Sequence, residues 1–179
     1  MPQSTQRAMR RKDRELSREE TLTVIRHTPH CVIATVDESG TPYATPITAV
    51  LFEGAVYFHS SSDVTGRRYQ NTLQNDKVSI VWIGRGETAA DELPKDFSVN
   101  YASAIVEGRI SLVTDEGEKK RVAKAFCLRH VPQAGEEAID KYYAAGGKYV
   151  VFWKVTIDSL SGKARNKHCL LYTSDAADD

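Results

Sequence analysis

Ala55-Val56-Tyr57-Phe58-His59 runs directly into Ser60-Ser61-Ser62 and then, past Asp63 and Thr65, into Gly66-Arg67-Arg68. The first five residues have the composition of a short β-strand, and the glycine and two arginines open a helix. Between them lies a hydroxyl-rich loop. Hydroxyls and loop amides donate to phosphate oxygens, glycine lets a backbone approach closely, and two guanidiniums supply forked donors that match phosphate geometry. The layout is that of an anion pocket, with a phosphorylated cofactor as its ligand. The same residues also fit an ordinary serine turn followed by two solvated helix charges.

Upstream, residues 43–52 form a second apolar strand, joined to residues 55–59 at Glu53-Gly54, where glycine permits the positive φ of a tight hairpin. Residues 31–36 form a strand before these, with Asp37-Glu38-Ser39-Gly40 as its turn. Ser17-Arg18-Glu19-Glu20 is a capping box; it predicts a helix of about ten residues with Leu22 and Ile25 on one face and Pro29 at its end. Downstream, residues 66–74 read as one helix packed through Tyr69 and Leu73. Residues 77–83 form a strand with Val78, Ile80 and Trp82 on one face. Residues 84–96 are polar and form the longest loop. Residues 97–113 make an extended strand bent at Gly108, a natural bulge site. Thr114 caps a helix whose buried stripe is Val122, Ala125 and Phe126; residues 136–144 are helical, and residues 149–155 close the sheet. The sum is an α+β, mainly β fold: a six-stranded antiparallel barrel with four peripheral helices.

With 179 residues, 41% hydrophobic and 27% charged, the chain fits one globular domain. Its 24 basic and 24 acidic residues give zero formal charge, which removes a global argument for nucleic acid or an anionic membrane as partner. Arg7, Arg10, Arg11, Lys12 and Arg14 make residues 1–15 a basic arm, and residues 16–167 the domain. Residues 168–179 read as a disordered tail or as non-native sequence, so that the native chain continues differently after Lys167. The absence of a long apolar run or a signal-peptide core predicts a cytoplasmic protein. Cys31, Cys127 and Cys169 contain no CxxC pair, and the HxxHC cluster of His27, His30 and Cys31 lacks the convergent ligands of a zinc site, so no metal is expected. Without GxSxG, Walker or GxGxxG motifs, hydrolase, triphosphatase and Rossmann dehydrogenase readings have no support.

Four segments carry a wider likeness: Met9-Arg10-Arg11-Lys12-Asp13-Arg14-Glu15, Val56-Tyr57-Phe58-His59-Ser60, Phe97-Ser98-Val99-Asn100-Tyr101, and Gly162-Lys163-Ala164-Arg165. Together with the strand order, they resemble the FMN-binding split-barrel superfamily, whose best-known branch is pyridoxamine 5'-phosphate oxidase; the closer likeness is to the nitroimidazole-resistance branch. The resemblance implies FMN as cofactor, a homodimer with FMN between subunits, and oxidoreduction of a small aromatic or nitro compound. It places the FMN phosphate on Ser60, Arg67 and Arg68, with Ser61 and Gly66 of the same segment as further cofactor-binding residues, and the ring along Thr45, Pro46, Ile47 and Thr48. It also implies Phe58, His59 and Ser103 as cofactor contacts, with His59 as the catalytic candidate. The alternatives are a flavin- or haem-binding protein without turnover, and pyridoxamine 5'-phosphate oxidation. The last is disfavoured by Gly66, where that branch has serine, and by Thr45, near which it has arginine.

Overall fold

The computed structural model describes residues 8–84, 86–90, 93, 95, 97–133, 135–146 and 150–165. The predicted tail at 168–179, the first seven residues of the basic arm and the predicted strand start at Tyr149 lie outside these. In chain order the elements are α1 (Arg18–His27), β1 (His30–Val36), β2 (Pro42–Phe52), β3 (Ala55–Ser61), α2 (Arg67–Gln74), β4 (Lys77–Ile83), β5 (Glu87–Ala89), β6 (Ser98–Asn100), β7 (Ala102–Leu112), α3 (Glu116–His130), α4 (Glu136–Gly146) and β8 (Val150–Ala164).

Six strands close into an antiparallel barrel in the order β1-β2-β3-β8-β7-β4, and β4 pairs back onto β1. Alternation sets which side chains fill it: Ile33, Val56, Phe58, Ile80, Trp82, Ala104, Val106 and Val155 are buried inside the barrel. The β2–β3 hairpin turns on Glu53 and Gly54, with φ of 46° and 78°. Two positive φ values in a two-residue loop match the right-handed twist of the strands it joins. The Ser17 box closes as predicted: the Ser17 amide donates to Glu20 Oε2 at 2.6 Å and the Glu20 amide to Ser17 Oγ at 3.2 Å.

A second apolar layer lies outside the barrel, where α3 covers β2, β3 and β8 through Val122, Ala123, Tyr57 and Phe152. Tyr57 donates its hydroxyl to Glu118 Oε1 at 2.8 Å, and Lys154 Nζ reaches the same oxygen at 2.9 Å, fixing α3 to the sheet.

Five local expectations change. Asp115, not Thr114, caps α3, accepting from the Glu118 amide at 2.7 Å, because a carboxylate one residue later reaches that donor. On α2 the buried residue is Asn71, which donates to Thr35 Oγ1 at 3.0 Å, while Leu73 is 58% exposed. The long polar loop contains β5, which pairs with β6 as a separate two-stranded ribbon, so the predicted 97–113 strand divides at Tyr101. On α3, Ala123 is buried while Ala125 and Phe126 are half-buried. Finally, β8 continues to Ala164 and takes in Gly162 and Lys163; the bulge expected at Gly108 is present, with Asp158 of β8 as the extra residue opposite it.

Candidate functional site

The site lies where two strands part. The β2–β3 ladder pairs residues 49–52 with 55–58 and then stops. Beyond that point the earlier half of β2 pairs only with β1, and His59, Ser60 and Ser61 pair only with β8. Residues 45–48 therefore present a strand edge toward the gap, and backbone groups on such an edge are free to bond another partner. Helix α2 bridges this fork: Arg68 Nη1 donates to Thr45 Oγ1 at 3.3 Å, and Tyr69 meets the Trp153 ring edge-on at 5.2 Å.

Within the fork lies a pocket of about 120 Å³, lined by Ser60, Ser61, Asp63, Gly66, Arg68, Tyr69 and Trp153. That is the room of about four waters in the liquid, enough for one small oxyanion. Ser60 Oγ accepts from Trp153 Nε1 at 3.0 Å and donates to the Ser61 carbonyl at 3.1 Å. Arg68 is half-buried, its guanidinium 5.2 Å above the Phe58 ring. Burial pulls its pKa down from the ordinary arginine value, and no ion pair is found for it among the described residues. A cation held this way, with one neutral hydroxyl as hydrogen-bond partner, favours an incoming anion.

The start of α2 adds to this field. Its first internal bond runs from the Gln70 amide to the Gly66 carbonyl at 3.0 Å, and Gly66 supplies no side-chain cap. The amides of the first turn and the positive end of the helix dipole thus border the pocket. The Asp63 carboxylate, also on the wall, is held by the Thr65 amide at 2.8 Å and the Thr65 hydroxyl at 2.7 Å, which lower its pKa. A Cβ at Gly66 would meet only the Asp63 carbonyl oxygen, at 3.9 Å, so the fold itself leaves room for serine there.

The predicted site residues separate into groups. Ser60, Ser61, Gly66 and Arg68 share the pocket, and Thr45 touches it through Arg68. Ser60 and Ser61 belong to β3 itself; the loop starts two residues later than expected. Pro46 is exposed and Thr48 half-buried on the β2 edge, while the Ile47 side chain is buried in the core and leaves only its backbone available. Phe58 is fully buried, stacked on Trp153 at 6.3 Å, and supports the pocket floor from inside the barrel. Arg67 points elsewhere, 3.5 Å from Asp37 Oδ2 and 4.6 Å above the Tyr43 ring.

His59 faces the opposite side of β3 from Phe58 and Ser60, as strand alternation requires. Its ring lies edge-on to Phe126 of α3 at 4.7 Å and near Phe152 at 6.4 Å. Although part of the ring reaches solvent, this enclosure and then the Arg68 charge lower its pKa below the ordinary histidine value. Ser103 lies far from the pocket within one chain. It pairs with Lys163 on β8, whereas Ser60 pairs with Val151 of the same strand, twelve residues away or roughly 40 Å of contour. Trp153, Tyr69 and Asp63 were not predicted as pocket walls. The apolar pattern of β8 marked Trp153 as buried but gave no sign that its indole N–H serves Ser60.

Among the described residues no cluster of three or more potential metal ligands occurs. Cys31 is a buried thiol whose pKa is pushed up to about 12 by desolvation, and His27 Nδ1 contacts the Thr23 carbonyl at 3.0 Å. Among the described residues no helix is long and apolar enough to cross a membrane.

A family model described as pyridoxamine 5'-phosphate oxidase matches residues 17–164. No curated protein matches the chain significantly. Among solved structures, a Bacteroides thetaiotaomicron protein provisionally described as conferring 5-nitroimidazole antibiotic resistance superposes with a TM-score of 0.68 at 19% identity, over 83% of this chain and 85% of that one. A flavocytochrome from Azotobacter vinelandii gives 0.71 at 18% identity, over 89% and 72%. An FAD- and haem-binding protein from Mycobacterium smegmatis gives 0.67 at 16%, over 83% and 71%. At these identities the likeness is one of fold.

Proposed function

The chain belongs to the pyridoxamine 5'-phosphate oxidase family, and from that membership we propose that it is an FMN-binding flavoprotein, an FMN-dependent oxidoreductase acting on a small aromatic or nitro compound. The observation that carries this reading is the half-buried Arg68, without an ion pair among the described residues, beside Ser60, Ser61 and the open start of α2. That donor set fits a phosphate monoester: one guanidinium, the Ser61 hydroxyl and free helix amides, with a pocket too small for the rest of the cofactor. When bound, FMN supplies the electron and hydride chemistry.

The chain's own residues bind and orient. Arg68 and the α2 amides hold the phosphate, and the free β2 edge at 45–48 offers backbone donors and acceptors to a planar ring. Pro46 contributes only its carbonyl to that edge. His59, whose pKa is lowered by desolvation and then by the Arg68 charge, offers its ring nitrogens for hydrogen bonding and proton transfer. Ser103 joins the site in this reading only if a second copy supplies it, which makes a homodimer with the cofactor between subunits part of the proposal. The domain extends over 16–167, in a cytoplasmic protein with no nucleic-acid or membrane partner.

A second reading, a flavin or haem carrier without turnover, is favoured by the flavocytochrome and the FAD- and haem-binding protein among the neighbours of this fold. Absorbance of the purified protein separates flavin from haem. A colourless protein that also fails to take up added FMN contradicts the first proposal. Anaerobic reduction followed by mixing with a nitroimidazole distinguishes them from each other: rapid reoxidation supports the oxidoreductase, and a spectrum that stays reduced leaves the carrier.

A further inference from the structure

Three of the four segments that carry the family likeness meet away from the fork. Glu15 forms a strand bridge with Lys163, and the Arg165 amide donates to the Tyr101 carbonyl at 3.0 Å. This gathers Arg14, Lys163 and Arg165, all half-buried, around Tyr101. The Lys163 ammonium lies 5.9 Å from the centroid of the Tyr101 ring. Desolvation alone would raise the Tyr101 pKa, but hydrogen bonds from Arg14 and Lys163 to its hydroxyl oxygen bring it below the ordinary value. Two cations are thus held on one neutral acceptor, and each keeps unused donors. No carboxylate neutralises the pair. Arg14 Nε comes only to 3.9 Å from Asp13 Oδ2, because that carboxylate is clamped by Arg11 Nε and Nη2 at 2.8 and 2.6 Å. Among the described residues Lys163 and Arg165 form no ion pair, and the Tyr101 hydroxyl proton has no acceptor. Like charges packed this way repel, and an anion set between them relieves the repulsion and takes up the donors.

We propose that Arg14, Tyr101 and Lys163 form a second anion site, which holds the oxyanion group, a carboxylate or a phosphate, of a small molecule. The guanidinium and the ammonium supply charge-assisted bonds, and the phenol O–H donates to a further oxygen. Arg165 adds its charge from the adjoining strand end. The site is distinct from the pocket in the fork: Lys163 lies twelve residues along β8 from Val151, the strand partner of Ser60. It is complete within one chain, and the inference does not depend on flavin binding.

The test is calorimetric titration of benzoate and, separately, of inorganic phosphate into full-length Arg68→Ala protein, in which the fork has lost its cation, at low ionic strength. Saturable one-to-one binding of at least one of them is expected; benzoate alone identifies a carboxylate ligand, and phosphate alone a phosphate ester. Adding Lys163→Gln or Arg14→Gln weakens that binding at least about tenfold, the size of one charge-assisted bond. Adding Lys12→Gln, at an exposed cation of the same arm, changes it by no more than about twofold. NMR cross-peaks from benzoate protons to the Tyr101 ring support the site without a further substitution. Cross-peaks to Tyr69 and Trp153 in their place overturn it. So do unchanged affinity in a folded Lys163→Gln variant, equal losses from Lys12→Gln and Lys163→Gln, or no saturation by either anion at about 10 mM.

Discussion

At the scale of residues, the two adjacent arginines are not equivalent. Arg68 sits in the fork against Thr45 and Phe58, whereas Arg67 is engaged by Asp37 and Tyr43. Arg68→Ala is expected to weaken FMN binding by roughly 1.5–3 kcal/mol, one charge-assisted contact, and Arg67→Ala by much less, both read from fluorescence quenching titrations. The sequence placed both in one cluster because adjacency in a chain does not say which of two neighbouring helix positions faces inward. A pH dependence follows from His59 and His130, whose folded pKa values both lie below the ordinary value of about 6.5. In the window beneath that value the unfolded chain binds more protons than the folded one, so stability is retained above about pH 6.5 and falls as the pH drops through it. The lowered carboxylates, among them Asp37, Asp63 and Glu118, stabilise the fold above the ordinary carboxylate range and lose that contribution only at more acidic pH. Melting temperatures should decline between pH 7.5 and 5.5, and His130→Phe should reduce that decline.

Among the elements, the bulge on β8 leaves no room for a side chain opposite it. A Cβ at Gly108 would overlap the Thr156 carbonyl oxygen and press on Val155 Cγ1. Gly108→Ala is expected to cost about 1–3 kcal/mol in chemical denaturation, the range for overpacking a filled core. Gly66→Ser should change stability by no more than a few tenths of a kcal/mol, because the position is open and serine is a preferred helix cap. Gly108 was legible as a bulge because it interrupts an otherwise regular apolar alternation. The ribbon of β5 and β6 was not, since Glu87-Thr88-Ala89 and Ser98-Val99-Asn100 are three-residue strands without a buried stripe. The later half of β8 escaped for a related reason: residues 156–161 are exposed or half-buried, and their strand state comes from pairing with β7 rather than from an apolar face. Even the site is an effect of pairing, because it exists where β2 and β3 exchange partners, and register is invisible in a single strand's composition.

For the molecule as a whole, the barrel supplies a rigid frame and the fork supplies an opening in it. The six barrel strands could be read from alternation and turn residues, which is why the fold was accessible from sequence. The composition of the pocket was only half accessible. Ser60, Ser61, Gly66 and Arg68 are close in sequence and meet in space, whereas Trp153 arrives from a strand more than eighty residues later. His59 is next to Ser60 in sequence but faces the α3 layer, so this imidazole and the anion pocket fall on opposite faces of one strand. The central claim is that the fork holds a phosphate, and a comparison of FMN with riboflavin, which lacks only that group, tests it most directly. Titrated into the full-length protein at fixed salt, FMN should bind at least about tenfold more tightly than riboflavin, the size of one charge-assisted bond. Arg68→Ala should narrow that difference. Equal affinities for the two flavins in the unaltered protein would contradict the account.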